Sequence, residues 1–161
     1  MRAATEGVRS RSLGGGAATS GGAATASILA LIALGVVALP STARADPCEG
    51  RLPSRSGEAF GGTVQYVGDG DSVCVGSSSD PATWIEVRLA DFNAPELHSP
   101  TGRTDRDRLA RIVQGRPLEC VAVRGRNGRV IVYDRVIARC RLNGRGVGDL
   151  LRAAGGREGG N

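Results

Sequence analysis

This chain contains no lysine: all 21 basic residues are arginines, so every fixed positive side chain is a guanidinium. Aromatic residues make up 3%, and histidine occurs once, as His98. The four cysteines fit no common zinc spacing, and His98 has no cysteine near it in sequence, which argues against a structural zinc site. Long apolar runs are also missing. The one apolar stretch, Ala26 to Leu39, is shorter than the ~18–20 residues a membrane-spanning helix needs.

That stretch reads instead as part of an export signal. Arg2, Arg9 and Arg11 precede it, Pro40 closes it, and Ala43 and Ala45 supply the small-residue pattern of a cleavage site. The expected organisation is a signal peptide over 1–45 cleaved after Ala45, an N-terminal arm over 46–58, a folded domain over 59–156 and a Gly-rich tail over 157–161. An uncleaved anchor is the alternative for the leader. The leader holds four arginines and one glutamate, so its removal lowers the net charge from +5 to +2. A charge that small permits a nucleic-acid partner without arguing for one.

All four cysteines follow the leader, and an even count in a small exported domain reads as two disulfides. Cys120 is in phase with Leu118 and Ala122, and Cys140 with Ala138 and Leu142. Both face an apolar side, which predicts a Cys120–Cys140 bridge between adjacent antiparallel strands, or else a plain buried thiol at Cys120. The remaining pair, Cys48 and Cys74, would tie the arm to the second strand, with Cys74 accessible from outside. In the chain-entropy picture each loop of ~20–30 residues so closed contributes about 3 kcal/mol.

The domain pattern predicts strands over 62–67, 71–75, 83–90, 118–123 and 130–142. In the third, Ile85, Val87 and Leu89 alternate with Trp84, Glu86 and Arg88. A helix is expected over 102–114, with Leu109, Ile112 and Val113 as its apolar stripe and Thr104 with Asp107 resembling a capping box. A short second helix covers 147–154. Asp69-Gly70, Asn127-Gly128 and Asn143-Gly144 mark turns. Three strands, a helix, two strands and a helix form the order of a five-stranded OB-fold barrel, an α+β β-barrel class.

Three segments carry chemistry: Asp69-Gly70-Asp71-Ser72, Arg88 through Glu96, and Tyr133-Asp134-Arg135. Each alone fits a turn or an exposed strand face. Together they supply carboxylates, an amide and two guanidinium groups. Hard cations take oxygen ligands, guanidinium groups grip phosphate in a bidentate way, and a carboxylate can orient water or take its proton.

The segments DGDSV (Asp69–Val73), RLADFNAPE (Arg88–Glu96) and YDRVIA (Tyr133–Ala138) resemble, in order, the signature segments of the staphylococcal-nuclease (thermonuclease) family. The resemblance covers roughly Thr63 to Gly155. It implies an SNase-like OB-fold barrel that hydrolyses phosphodiesters in DNA and RNA with Ca²⁺, leaving 3′-phosphates. Asp71, Asn93 and the Ala94 carbonyl are then the metal ligands. Arg88, Arg135 and Glu96 are the catalytic residues, with Glu96 as general base or water-orienting group. Tyr133 lines the nucleotide site.

Asn93 stands where the family usually places an aspartate, which removes one charge and should weaken ion binding. Asp91, two residues away, is expected to lend charge. Relatives continue into a further helix that this chain lacks. The leading expectation is a monomeric Ca²⁺-dependent nuclease, periplasmic or secreted. The alternatives are a non-catalytic OB-fold module that binds nucleic acid, and a disulfide-stabilised structural domain of the envelope. His98 and Trp84 are expected to be a loop residue and a side chain packed on its loop.

Overall fold

The computed structural model describes residues 46–159. The expected leader, its cleavage position and the end of the tail lie outside these residues. The elements are β1 (Ala59–Val67), β2 (Ser72–Gly76), β3 (Ile85–Leu89), α1 (Gly102–Val113), β4 (Pro117–Ala122), β5 (Ile131–Val132), β6 (Arg135–Leu142), β7 (Arg145–Gly146) and α2 (Val147–Ala153).

Five strands close into a barrel. β1 pairs antiparallel with β2 and with β4, β2 with β3, and β4 with β6. A parallel pairing of β3 with β6 completes the ring, Val87 lying beside Val136 and Leu89 beside Ala138. This is the α+β, OB-like barrel that the element order predicts. Its interior is built from alternate strand positions: Val73, Val75, Val87, Leu89, Leu118, Ala122, Val136, Ala138 and Leu142 are all buried. Each fully buried Val or Leu contributes about 1.5–3 kcal/mol. Helix α1 covers the barrel with Leu109 and Val113, one helical turn apart on the same face, and α2 adds Val147 and Leu151.

Three local expectations need correction. The predicted strand over 130–142 is broken: β5 folds back antiparallel on β6, Val132 pairing with Arg135 across a Tyr133-Asp134 turn. Tyr133 takes a left-handed conformation there (φ 57°), and a bulky side chain in that conformation gives no Gly or Asn signal for a turn. Helix α1 begins at Gly102 as expected, but Thr104 lies inside it and is not its cap. The Gly102 N–H donates to Ser99 Oγ at 3.1 Å, and Thr101 precedes the helix without a side-chain cap. Cys74 lies on the outer face as expected, but it is buried rather than accessible, because the arm covers it.

Both disulfides are present. Cys120 and Cys140 are register partners on β4 and β6, with Cα atoms 4.1 Å apart. Cys48 joins Cys74 of β2, 5.7 Å between Cα atoms. The arm has no regular structure. The Glu49 N–H donates to the Pro81 carbonyl at 3.0 Å and the Gly50 N–H to the Trp84 carbonyl at 2.8 Å. Trp84 packs on its own loop, its indole N–H donating to the Ser78 carbonyl at 2.8 Å. Among the described residues no helix is long and apolar enough to cross a membrane.

Candidate active site

The β1–β2 turn, the segment after β3 and the start of β6 meet beside the barrel. Within the turn, Asp69 Oδ1 accepts the Asp71 N–H at 2.9 Å and Ser72 Oγ accepts the Asp69 N–H at 3.2 Å. These local bonds hold the Asp69-Gly70-Asp71 backbone in one shape. Gly70 is required by close approach rather than by a left-handed turn. A Cβ there would lie 2.5 Å from the Ala94 Cβ and 3.1 Å from the Asp105 Cβ. Its absence lets the turn close onto the 91–96 segment and α1.

That closure brings Asp71 to Ala94. Asp71 Oδ2 accepts the Ala94 N–H at 2.7 Å and lies 3.4 Å from the Arg88 guanidinium. Asp71 is 5% exposed. Burial pushes its carboxyl up to about 6, the Asp69 charge adds to the rise, and Arg88, the Ala94 N–H and Arg135 oppose it. Arg88 also donates to Asn93 Oδ1 and to the Leu89 carbonyl, the latter at 2.9 Å. Four of the residues named from the sequence, Asp71, Arg88, Asn93 and Ala94, therefore form one contact network.

Arg135 adjoins this network through acids. Its guanidinium lies 3.8 Å from Asp69 Oδ2 and 3.9 Å from Glu86 Oε1. Tyr133, 88% exposed, stands on the turn just before it. Glu96 is exposed three residues beyond Asn93, and its carboxylate makes no hydrogen bond or ion pair among the described residues. His98 is exposed on the same loop. Asp91 does not turn toward Asn93. Its carboxyl packs on the start of α2, where a Cβ on Gly148 would lie 2.8 Å from the Asp91 Cγ.

Two buried acids give no sign of their burial in the sequence. Glu86 is only 5% exposed although alternation places it on the outer face of β3. Burial pushes its carboxyl up to about 8. A hydrogen bond with Asp46 and the charges of Asp134 and Asp46 raise it further, and Arg135 opposes them. Its register partner is Cys74, so the Cys48–Cys74 pairing is the available signal that this outer face is covered. Asp105 of α1 is buried against Gly70 and paired with Arg108.

Among the described residues no three His, Cys, Asp or Glu side chains converge as a metal site. The groups that do come together are oxygens: Asp71 Oδ2 and Asn93 Oδ1 both lie against the Arg88 guanidinium, and Ala94, whose N–H Asp71 accepts, adds a carbonyl next in sequence. A buried carboxylate with a second acid beside it is stabilised by a cation, so the residues fit a hard cation that draws further ligands from water or substrate. No protein-family model matches this chain, and no curated protein matches it closely enough to show a relationship.

Proposed function

We propose that this protein is an exported, metal-dependent nuclease of the staphylococcal-nuclease type, acting on phosphodiester bonds of DNA or RNA. One observation carries the reading. Residues from two distant segments, Asp71 in one and Arg88 with Asn93-Ala94 in the other, are in direct contact, and Arg135 of a third lies beside them against Asp69. A purely structural barrel has no need to gather two arginines and two carboxylates at one edge. The two disulfides suit an oxidising compartment.

Asp71, Asn93 Oδ1 and the Ala94 carbonyl would hold Ca²⁺, which supplies charge neutralisation at a phosphoryl oxygen. The chain's own groups do the rest. Arg88 and Arg135 hold the scissile phosphate from two sides and offset the charge that builds on its oxygens. Asp69 and Glu86 fix the direction of the Arg135 guanidinium before substrate arrives. Glu96, whose carboxylate has no partner among the described residues, orients the attacking water or accepts its proton.

A second reading is an OB-fold module that binds nucleic acid without cleaving it. Asn93 favours it, since an amide in place of a carboxylate leaves Asp71 as the one charged group among the three proposed cation ligands. Glu96→Gln separates the two. A nuclease loses turnover on single-stranded DNA while binding persists, whereas a binding module changes in neither respect.

A further inference from the structure

The loop between β4 and β5 reads Arg124-Gly125-Arg126-Asn127-Gly128-Arg129, three arginines in six residues with no acid among them. All three arginines are exposed, and none forms an ion pair among the described residues. The loop is not slack. The Gly125 N–H donates to the Arg129 carbonyl at 2.8 Å and the Gly128 N–H to the Gly125 carbonyl at 2.9 Å. Asn127 Oδ1 accepts the Arg129 N–H at 3.0 Å, and Arg124 donates to the Gly128 carbonyl at 2.8 Å. Gly128 takes the left-handed conformation (φ 75°) that closes the turn.

This rigid loop stands between two clefts. One, of about 570 Å³, runs from Arg88 and Asn93 to Arg126 and Asn127. Of the two acids along it, Glu158 pairs with Arg152 at 2.5 Å, and Asp91 packs on α2, its buried Oδ1 without a partner among the described residues. The other, of about 480 Å³, lies beyond the loop and is lined by Arg124, Arg129 and, from the arm, Arg55, with no acid. A third cleft elsewhere holds Arg141 and Arg145 but also Asp91 and Asp149. Of these three clefts the second is lined by arginines and no acid, and Arg126 of the same loop carries the line into the first cleft, toward Arg88.

We infer that Arg126, Arg124, Arg129 and Arg55 form a phosphate track that holds a single-stranded nucleic acid leading away from Arg88. The inference rests on the proposed nuclease reading for what happens at Arg88, but not for the binding itself. Backbone phosphates spaced along a flexible strand match guanidinium groups spaced around a fixed loop. Exposed Tyr133, at the end of β5, offers a face on which a base can stack.

The test uses Arg55→Gln/Arg129→Gln, whose side chains make no hydrogen bond among the described residues. Arg141→Gln/Arg145→Gln is the charge-matched control. Binding of a labelled single strand of about 12 nucleotides, within the about 4–16 an OB fold occupies, is followed by fluorescence anisotropy in a calcium chelator. The slope of log affinity against log salt should fall by about 1.4 for the track pair, about 0.7 for each phosphate left without its arginine, and stay unchanged for the control. An equal slope in wild type and track variant overturns the inference. So does an unchanged DNA slope with loss of binding to phosphatidylglycerol vesicles, which would make the patch a membrane-binding surface. If cleavage is seen, the track pair should raise KM for long single strands several-fold and leave dinucleotide cleavage unchanged. A shifted salt slope without any cleavage retains the track and refutes the nuclease.

Discussion

Two sides of one barrel solve opposite problems. The β4–β6 wall is apolar inside and charged outside: Leu118, Cys120, Ala122, Ala138, Cys140 and Leu142 point inward, while Glu119, Arg139 and Arg141 point out. A disulfide joins its two strands at their register partners. The edge formed by the β1–β2 turn, β3 and the start of α1 holds instead all four buried polar or charged residues of the described chain, Asp71, Ser72, Glu86 and Asp105. Burying charge is unfavourable unless it is paired or given a ligand. The contrast therefore locates the part of the molecule whose residues are explained by chemistry rather than by stability.

Substitutions on the two sides should separate rate from stability. The largest effect is expected for Arg135→Ala, which removes a charge proposed to hold the scissile phosphate. We expect cleavage to fall about 10²–10³-fold, with a melting temperature close to wild type. Next, Cys120→Ala/Cys140→Ala should cost about 3 kcal/mol and lower the Tm by roughly 12–24 °C, at about 4–8 °C per kcal/mol. Cleavage well below the Tm should continue. A Cys pair that abolished activity in a still-folded protein would erase the distinction between the two sides.

Gly70→Ala probes the join between turn and site. Its methyl must displace Ala94 or Asp105, at a cost of about 1–3 kcal/mol. Unlike the disulfide pair, it should also reduce Ca²⁺ affinity, read by calorimetry, because Asp71 and Ala94 move apart.

The smallest effect is a pH dependence. Glu86 is held above its ordinary 4.5, at about 8. Its protonated form is therefore favoured by folding. The contribution is fully present below about pH 4.5 and is lost as pH rises through 8. Thermal melts of Glu86→Gln should show less loss of Tm between about pH 5 and about pH 9 than wild type. Parallel curves would place the alkaline loss on another group.

The barrel is legible because inward positions alternate with polar ones over β3, β4 and β6, and Asn143-Gly144 names its own turn. Tyr133 is not legible as a turn residue. Three apolar residues, Val130 to Val132, lead into it as if a strand continued, and the left-handed conformation of Tyr133 depends on the β5–β6 pairing. In the site, the contacts among Asp71, Arg88, Asn93 and Ala94 follow segments readable from sequence. Glu86 is hidden because its burial depends on an arm without periodicity, drawn over β2 by Cys48. Asp91 departs from expectation for a related reason: spacing places it on the Asn93 side, but packing against α2 turns its carboxyl away.

The most direct measurement is cleavage of single-stranded DNA by the purified, oxidised protein, in Ca²⁺ and in a calcium chelator, with Arg135→Ala in parallel. The account predicts cleavage that requires Ca²⁺ and is lost in the variant, with both proteins folded by circular dichroism. A folded wild-type protein that leaves DNA and RNA intact in saturating Ca²⁺ would contradict it and leave the barrel as a binding module.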